Sequence, residues 1–266
     1  MKRSHFCGRA ARLLAHCLVS TTLLVGCQTQ ESRLAPELVR YGGMHEAIGQ
    51  KQHQGRVRLA ELTSRPHFYG VGALEGLNGE ITVMNSAPVV TGVTPDGRSH
   101  SLSAENARAT LLVGQFVEDW ASVKLGEAVP PERFDETIAN AAADLGFDGV
   151  TPFIFMVEGE FTDVRLHVIN GACPIHARMK NVTLAQSERP FELDTKQLSG
   201  ALVGVYAVDS VGKLTHPATR THGHLVYQDP KTGDRLTGHL ERVGLAPGAV
   251  VKLPKSSKNG SLAAAQ

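Results

Sequence analysis

The chain has little cysteine in its folding part, almost no excess charge and no long apolar run. Three of its four cysteines lie within the first 27 residues, so Cys173 alone remains and an internal disulfide in the folded part is excluded. Cys173 is typical of a small buried residue. Lysine and arginine number 27 against 26 acids. This balance does not indicate the clustered positive charge by which proteins bind nucleic acid.

The start of the chain has the features of an export signal. A basic segment precedes an apolar stretch at 13–25 that is too short and too polar to span a bilayer. The stretch ends in LVGC, which resembles the bacterial lipobox, so Cys27 is expected to carry a diacylglyceryl group after removal of residues 1–26. An ordinary secretory signal that happens to contain a cysteine is the alternative. We expect a protein anchored in the cell envelope through this lipid alone, facing the periplasm, with the outer membrane as the default site.

Many short β patterns and one helical pattern predict an α+β fold with mostly antiparallel sheet. Apolar residues at helical spacing follow the prolines at 130–131 and end before Gly146, which is typical of a helix C-cap. Glu158-Gly159 is interpreted as a turn between two strands. The expected division of the chain is a signal peptide at 1–26, a tether at 27–55, an N-terminal half at 56–170, a C-terminal half at 171–254 and a disordered tail at 255–266.

Histidine carries the sharpest chemical signal. His222 and His224 are two residues apart, so on a strand both side chains point to the same face. His239 follows across a turn-forming segment at 230–234, and an antiparallel return would bring it close. Three neutral imidazoles with an open position are the usual protein ligands of catalytic zinc, whereas structural zinc normally has four. The spacing therefore predicts a zinc site at these three histidines, with another divalent metal as the alternative.

Spacing alone leaves the role of the histidine pair open. Two histidines two apart also occur by chance on exposed strands. A cupin carries the same H-x-H pattern, but its nearby glutamate is missing between His224 and Gly233. A different zinc hydrolase would need a placed general base, and the sequence offers no evident one.

Three segments together resemble the α-acetolactate decarboxylase family. Residues 70–80 read GVGALEGLNGE, similar to the family's G-x-G-T-F-D-x-L-D-G-E. Residues 159–167 read GEFTDVRLH, similar to G-x-F-x-x-V-R-x-R. The third segment has GALVG at 200–204, HGH at 222–224 and GH at 238–239, similar to G-T-L-V-G, H-x-H-F and G-G-H. Their order and rough spacing match over about residues 57 to 250.

The resemblance implies a zinc enzyme that converts 2-acetolactate, a small 2-hydroxy-3-oxo acid, to acetoin and carbon dioxide. It also implies a homodimer with a mixed sheet in the N-terminal half and an antiparallel, metal-carrying sheet in the C-terminal half. By position the three histidines would be the metal ligands. Glu80 would deliver a proton beside the metal, and Arg165 would bind the substrate carboxylate. On the residues alone, Glu80 could equally be solvated after a turn and Arg165 could belong to a surface ion pair.

Three departures from the family pattern leave the function open. Ala73 stands where the family has threonine, and His167 replaces the second arginine, which puts a titratable group at a candidate catalytic position. The segment 251–266 contains no acid, although the family supplies a glutamate from its C-terminal segment. We therefore consider a decarboxylase, a non-catalytic envelope protein that binds metal and a small acid or protein partner, and a related lyase or isomerase acting on another 2-hydroxy-3-oxo acid.

Overall fold

Two antiparallel β-sheets with few helices form the part of the chain that the computed structural model describes, residues 37–210, 212–216 and 219–255. These residues belong to one compact unit. The expected signal peptide, the lipidated Cys27 and all of the expected tail except Lys255 lie outside the described residues. Within those ranges, no helix combines the length and the hydropathy needed to cross a membrane.

The first sheet pairs its strands in the order β1-β7-β3-β4-β5-β6, with β2 also on β7. Its seven strands are β1 Val39–Tyr41, β2 Val57–Arg58, β3 Phe68–Leu74, β4 Glu80–Met84, β5 Ala87–Val93, β6 Ser99–Ser101 and β7 Arg108–Phe116. Asn85 and Ser86 both have positive φ, 49° and 63°, in the two-residue turn between β4 and β5. Such a turn matches the twist of the flanking strands and produces an antiparallel hairpin.

The second sheet pairs its strands in the order β10-β11-β12-β9-β13-β8. Its six strands are β8 Trp120–Lys124, β9 Phe153–Val168, β10 Phe191–Tyr206, β11 Thr221–Gln228, β12 Arg235–Leu245 and β13 Val250–Pro254. Because β10 also pairs with β9, strands β9 to β12 close on themselves. The closed strands hold the side chains of one face in fixed positions relative to one another, and the three histidines that the sequence predicts as metal ligands lie on that face.

The helices of the described residues are short. They are α1 Leu59–Thr63, α2 Phe134–Asp144 and α3 Pro174–Met179, with a π-helical turn at His45–Gly49. The helix expected after the prolines at 130–131 is α2. Its buried residues Phe134 and Ile138 pack with Phe155 of β9 in one core cluster. The sheets contact each other through a second cluster that contains Val71 of β3 and Ile154 of β9.

The expected α+β class with two sheets and a three-histidine group is confirmed. Every pairing between described strands is antiparallel, including those of the N-terminal sheet, for which the resemblance implied a mixed one. Short connections such as the turn after β4 account for the antiparallel pairs from β3 to β6, because a parallel pair needs a long crossover.

Two of the expected boundaries differ from the arrangement of the elements. Residues 39–41, expected within a tether, pair with β7, and Met44 and Ala47 beyond them are buried. The segment was predicted to be a tether because most of its residues are polar, and its few buried apolar residues form no periodic pattern. The chain passes from the first sheet to the second between Phe116 and Trp120 rather than near residue 170. Whether either half is an independent domain stays a prediction.

The glycines of the first motif allow the backbones of β3 and β7 to approach closely. A Cβ added to Gly72 would lie 2.2 Å from the carbonyl oxygen of Leu111, a backbone atom that cannot turn away. We expect Gly72→Ala to lower the free energy of unfolding by roughly 1–3 kcal/mol. Urea denaturation would measure the loss. Gly126→Ala is the matched control because its added Cβ would meet nothing within 4 Å, and equal stability of the two variants would contradict the close approach of the strands.

Candidate metal centre

Three neighbouring strands bring four histidines to one face of the second sheet. In the strand register, His239 of β12 lies opposite His224 of β11 on one side and opposite His167 of β9 on the other. His222 precedes His224 by two residues and therefore faces the same way. All four side chains are buried. The hairpin between β11 and β12 is thus what places His239 beside the other two predicted ligands.

The three predicted metal ligands, which we call the histidine trio (His222, His224 and His239), converge on a common point. One ring nitrogen from each lies within 4.8 Å of those from the other two. Nε2 of His222 is 3.2 Å from Nε2 of His224. The ring centroid of His239 is 4.9 Å from that of His222 and 5.4 Å from that of His224. This spacing allows a single ion to contact all three rings.

The protonation and orientation of the trio fit a divalent metal. Burial lowers the pKa of His222 to about 3 and holds the pKa values of His224 and His239 well below 6.5. The rings are therefore neutral near pH 7, as ligation requires. Nδ1 of His222 lies 3.0 Å from the carbonyl oxygen of Leu214, an acceptor that places the ring proton on Nδ1 and leaves Nε2 unprotonated. Three neutral nitrogen donors are a typical ligand set of zinc.

Glu80 reaches the trio from the other sheet. Its carboxyl is buried, with Oε2 3.6 Å from Nε2 of His224 and Oε1 3.9 Å from Nε2 of His167. Burial raises the pKa of Glu80 to about 8, although Oε1 accepts a hydrogen bond from the backbone N–H of Ile169. The carboxyl is therefore mostly protonated at neutral pH and can give up a proton within the site.

His167 and Arg165 have different positions although they are two residues apart. Nδ1 of His167 is 2.8 Å from Oε1 of Glu241, and its ring centroid is 4.8 Å from that of His239. Arg165 is partly exposed and lies 3.4 Å from Glu241 and 3.8 Å from Glu192. The structure therefore brings His167 together with the trio and Glu80. Arg165 lies apart from them, in ion pairs with Glu241 and Glu192.

Three residues near the trio were not predicted. His216, in the loop between β10 and β11, has its ring centroid 4.9 Å from that of His239, and burial lowers its pKa to about 4. Glu241 accepts from His167 and from Arg178 of α3; these partners lower its pKa to about 2 although burial opposes the shift. Glu241 follows His239 by two residues, so its spacing could have revealed it. A loop residue and a residue of a six-residue helix offer no such periodicity.

The buried groups make the stability of the metal-free protein depend on pH. The trio and His216 are neutral when folded but bind protons below about pH 6.5 when unfolded, so stability falls as pH drops below that value. Glu80 keeps its proton up to about pH 8 when folded but loses it above 4.5 when unfolded, so it lowers stability as pH rises between these values.

We expect the free energy of unfolding to peak near pH 7 and to fall more steeply on the acid side, because four groups act there against one. Urea denaturation in excess chelator at about pH 5, 6.5 and 8 measures the profile. A flat response between pH 5 and 6.5 would contradict the burial of neutral histidines.

Comparison with known proteins gives one family. The family model of alpha-acetolactate decarboxylase matches residues 41–256. The fold is similar to crystal structures of acetolactate decarboxylase from Bacillus subtilis strain 168 (TM-score 0.59, 14% identity, 82% of this chain and 85% of that chain) and from Bacillus subtilis subspecies spizizenii (0.59, 14%, 83% and 86%). It is also similar to a Staphylococcus aureus protein of unknown function described as similar to that enzyme (0.56, 13%, 83% and 86%).

No curated protein matches the chain by sequence. At 13–14% identity the structural matches establish the fold alone. The family model covers far more than half of the chain and includes all three motifs. On this basis, the chain belongs to the alpha-acetolactate decarboxylase family.

Proposed function

We propose that the protein is a zinc-dependent carboxy-lyase that converts 2-acetolactate to acetoin and carbon dioxide. The observation that carries the proposal is geometric: three histidine rings converge, and the buried carboxyl of Glu80 lies 3.6 Å from Nε2 of His224. Family membership supports the same reaction class. Bound zinc would supply Lewis-acid polarisation of the substrate's hydroxyl and carbonyl oxygens.

The residues of the chain account for the remaining steps. Decarboxylation breaks the bond between C2 and the carboxylate carbon, and the electron pair stays with C2 and the adjacent carbonyl. Glu80 then donates its proton to C2, which gives acetoin. His167 and Glu241 form a hydrogen-bonded pair beside His239, which holds the His167 ring in place. The trio would hold the ion.

Acetoin formation by purified, zinc-loaded protein tests the proposal. We expect turnover of 2-acetolactate that depends on added zinc and disappears in His222→Ala. The decomposition of 2-acetolactate without protein sets the background. Acetoin no faster than in the His222→Ala sample would refute the decarboxylase.

A non-catalytic role is the second candidate, and two observations favour it. His167 stands where the family has an arginine, and no acid occurs among the described residues from Val250 to Lys255. Such a protein would keep the fold and the metal and bind a small acid or a protein partner. Thermal stabilisation by a hydroxy acid without turnover would support it, whereas efficient turnover would refute it.

We propose that the protein acts in the cell envelope, on the basis of the lipobox-like sequence before Cys27. Cells grown with a labelled fatty acid should incorporate the label into the wild-type protein and not into Cys27→Ser. The Cys173→Ser variant is the matched control because its thiol is buried in the folded part. Equal labelling of Cys27→Ser and wild type would contradict the anchor.

A further inference from the structure

Three cavities adjoin the histidine trio or His216, and they differ in size and charge. The largest is open to solvent, has a volume of about 610 Å³ and is lined by His216, His239, Glu241 and Arg178 among others. The innermost, about 30 Å³, is lined by the trio, Glu80 and His167, and otherwise by mostly apolar side chains. The third, about 160 Å³, is lined by His216 and by apolar residues such as Met44.

Of the three cavities, the open one alone is lined by arginine, the side chain that binds a carboxylate through paired donors. The innermost cavity holds about one water molecule. Among the described residues, no lysine or arginine lines it or the third cavity. The open cavity is lined by Arg178 and Arg242, by three acids that include Glu241, and by His239 of the trio. A carboxylate can therefore meet an arginine beside the trio only from this side.

Arg178 is the arginine whose contacts lead to the trio. Its Nη2 donates to Oε1 of Glu241, and the same oxygen lies 2.8 Å from Nδ1 of His167, the neighbour of His239. Its Nη1 donates to Oε1 of Glu192 at 2.8 Å. A guanidinium has five N–H donors, so others remain for a ligand. Glu192 is 44% exposed and can turn into water when a substrate carboxylate takes its place.

The other two arginines nearby are less suited to this task. Arg165 does not line the open cavity. It pairs with the same two carboxylates as Arg178 but at longer range, with Nε 3.4 Å from Oε2 of Glu241 and Nη2 3.8 Å from Oε1 of Glu192. Arg242 lines the cavity, but its partners are the carbonyl oxygen of Asp163 and the carboxylate of Asp194, each at 3.2 Å, and neither partner is hydrogen-bonded to His167 as Glu241 is.

We propose that Arg178, rather than Arg165, binds the carboxylate of the acid substrate in this protein. The proposal rests on the proposed function, since it assigns a residue to the same site. It places the carboxylate-binding cation on α3, outside the three motifs that carry the family resemblance. It also accounts for a site in which His167 replaces a fixed cation, because the positive charge comes from a different element.

Binding of a stable hydroxy acid, 2-hydroxy-2-methylpropanoate, to the zinc-loaded full-length protein tests the proposal without requiring turnover. We expect Arg178→Gln to weaken binding by about tenfold to a hundredfold, the effect of losing a charge-assisted hydrogen bond. Arg178→Lys should recover part of the affinity, because an ammonium keeps the charge but not the planar pair of donors. Calorimetric titration gives the dissociation constants, and zinc content with melting temperature establishes that each variant is folded.

Arg242→Gln is the matched control, an arginine on the same cavity whose loss should change affinity less than threefold. Glu192→Gln should tighten binding severalfold, because it removes the carboxylate that competes for Nη1 of Arg178. A larger loss in Arg165→Gln than in Arg178→Gln, or a folded Arg178→Gln that binds like wild type, would overturn the proposal even if acetoin is formed. Wild-type protein that binds no acid and forms no acetoin would remove the proposed function as well.

Discussion

Replacing His239 with alanine is expected to weaken zinc binding by more than about a hundredfold and to abolish acetoin formation. His239 is the strand partner of both His224 and His167 and lies 4.9 Å from His222 by ring centroid, so its loss leaves two of the three converging rings. Loss of a group that is hydrogen-bonded to a metal ligand lowers metal affinity by about 10-fold to 100-fold, and loss of a ligand itself should lower it more. Competition with a chromophoric chelator measures the change.

His100→Ala is the matched control for this substitution. His100 is also a strand histidine, but it lies on β6 of the first sheet, and we expect wild-type zinc affinity and activity from the variant. A His239→Ala protein that retains wild-type zinc affinity would mean that the convergence of the three rings is not a metal site.

Replacing Glu80 with glutamine is expected to lower kcat by about 10²-fold to 10⁴-fold while zinc content stays the same. Glutamine has the same shape and can still accept the hydrogen bond from the Ile169 backbone, but it cannot donate a carboxyl proton to carbon. The variant should also lose the decline in stability between neutral pH and about pH 8, because the decline comes from the buried carboxyl. Steady-state kinetics and urea denaturation measure the two effects.

Glu75→Gln serves as the control for Glu80→Gln. Glu75 belongs to the same motif, but its carboxylate is about half exposed and pairs with Arg108. We expect near-wild-type kcat from this variant. If Glu80→Gln kept the wild-type kcat, the proton would have to come from another group, and Glu80 would have no part in the chemistry.

The three candidate metal ligands could be predicted from sequence because their geometry is local. His222 and His224 share a face through the two-residue period of a strand, and a short hairpin returns the chain to His239. Glu80 could be assigned only through the family resemblance. Its burial and its approach to His224 depend on packing between two sheets, and the residues next to Glu80 in the sequence form no pattern that predicts this contact.

The turn expected at Glu158-Gly159 was wrong for a related reason. The strand β9 continues through both residues, because β10 pairs with it along its whole length and Gly159 lies opposite Gly200. Gly159 has φ of 144°, so it bends the strand without ending it. A glycine between two β patterns is compatible with a bend or a turn, and only the long-range pairing decides between them.

Metal analysis of the wild-type protein tests the central claim most directly. After loading with zinc and dialysis against a weak chelator, we predict about one zinc ion per chain and less than about one tenth of an ion in a His222→Ala, His224→Ala double variant. Wild-type protein that retains no more zinc than the double variant would contradict the metal centre and the function proposed from it.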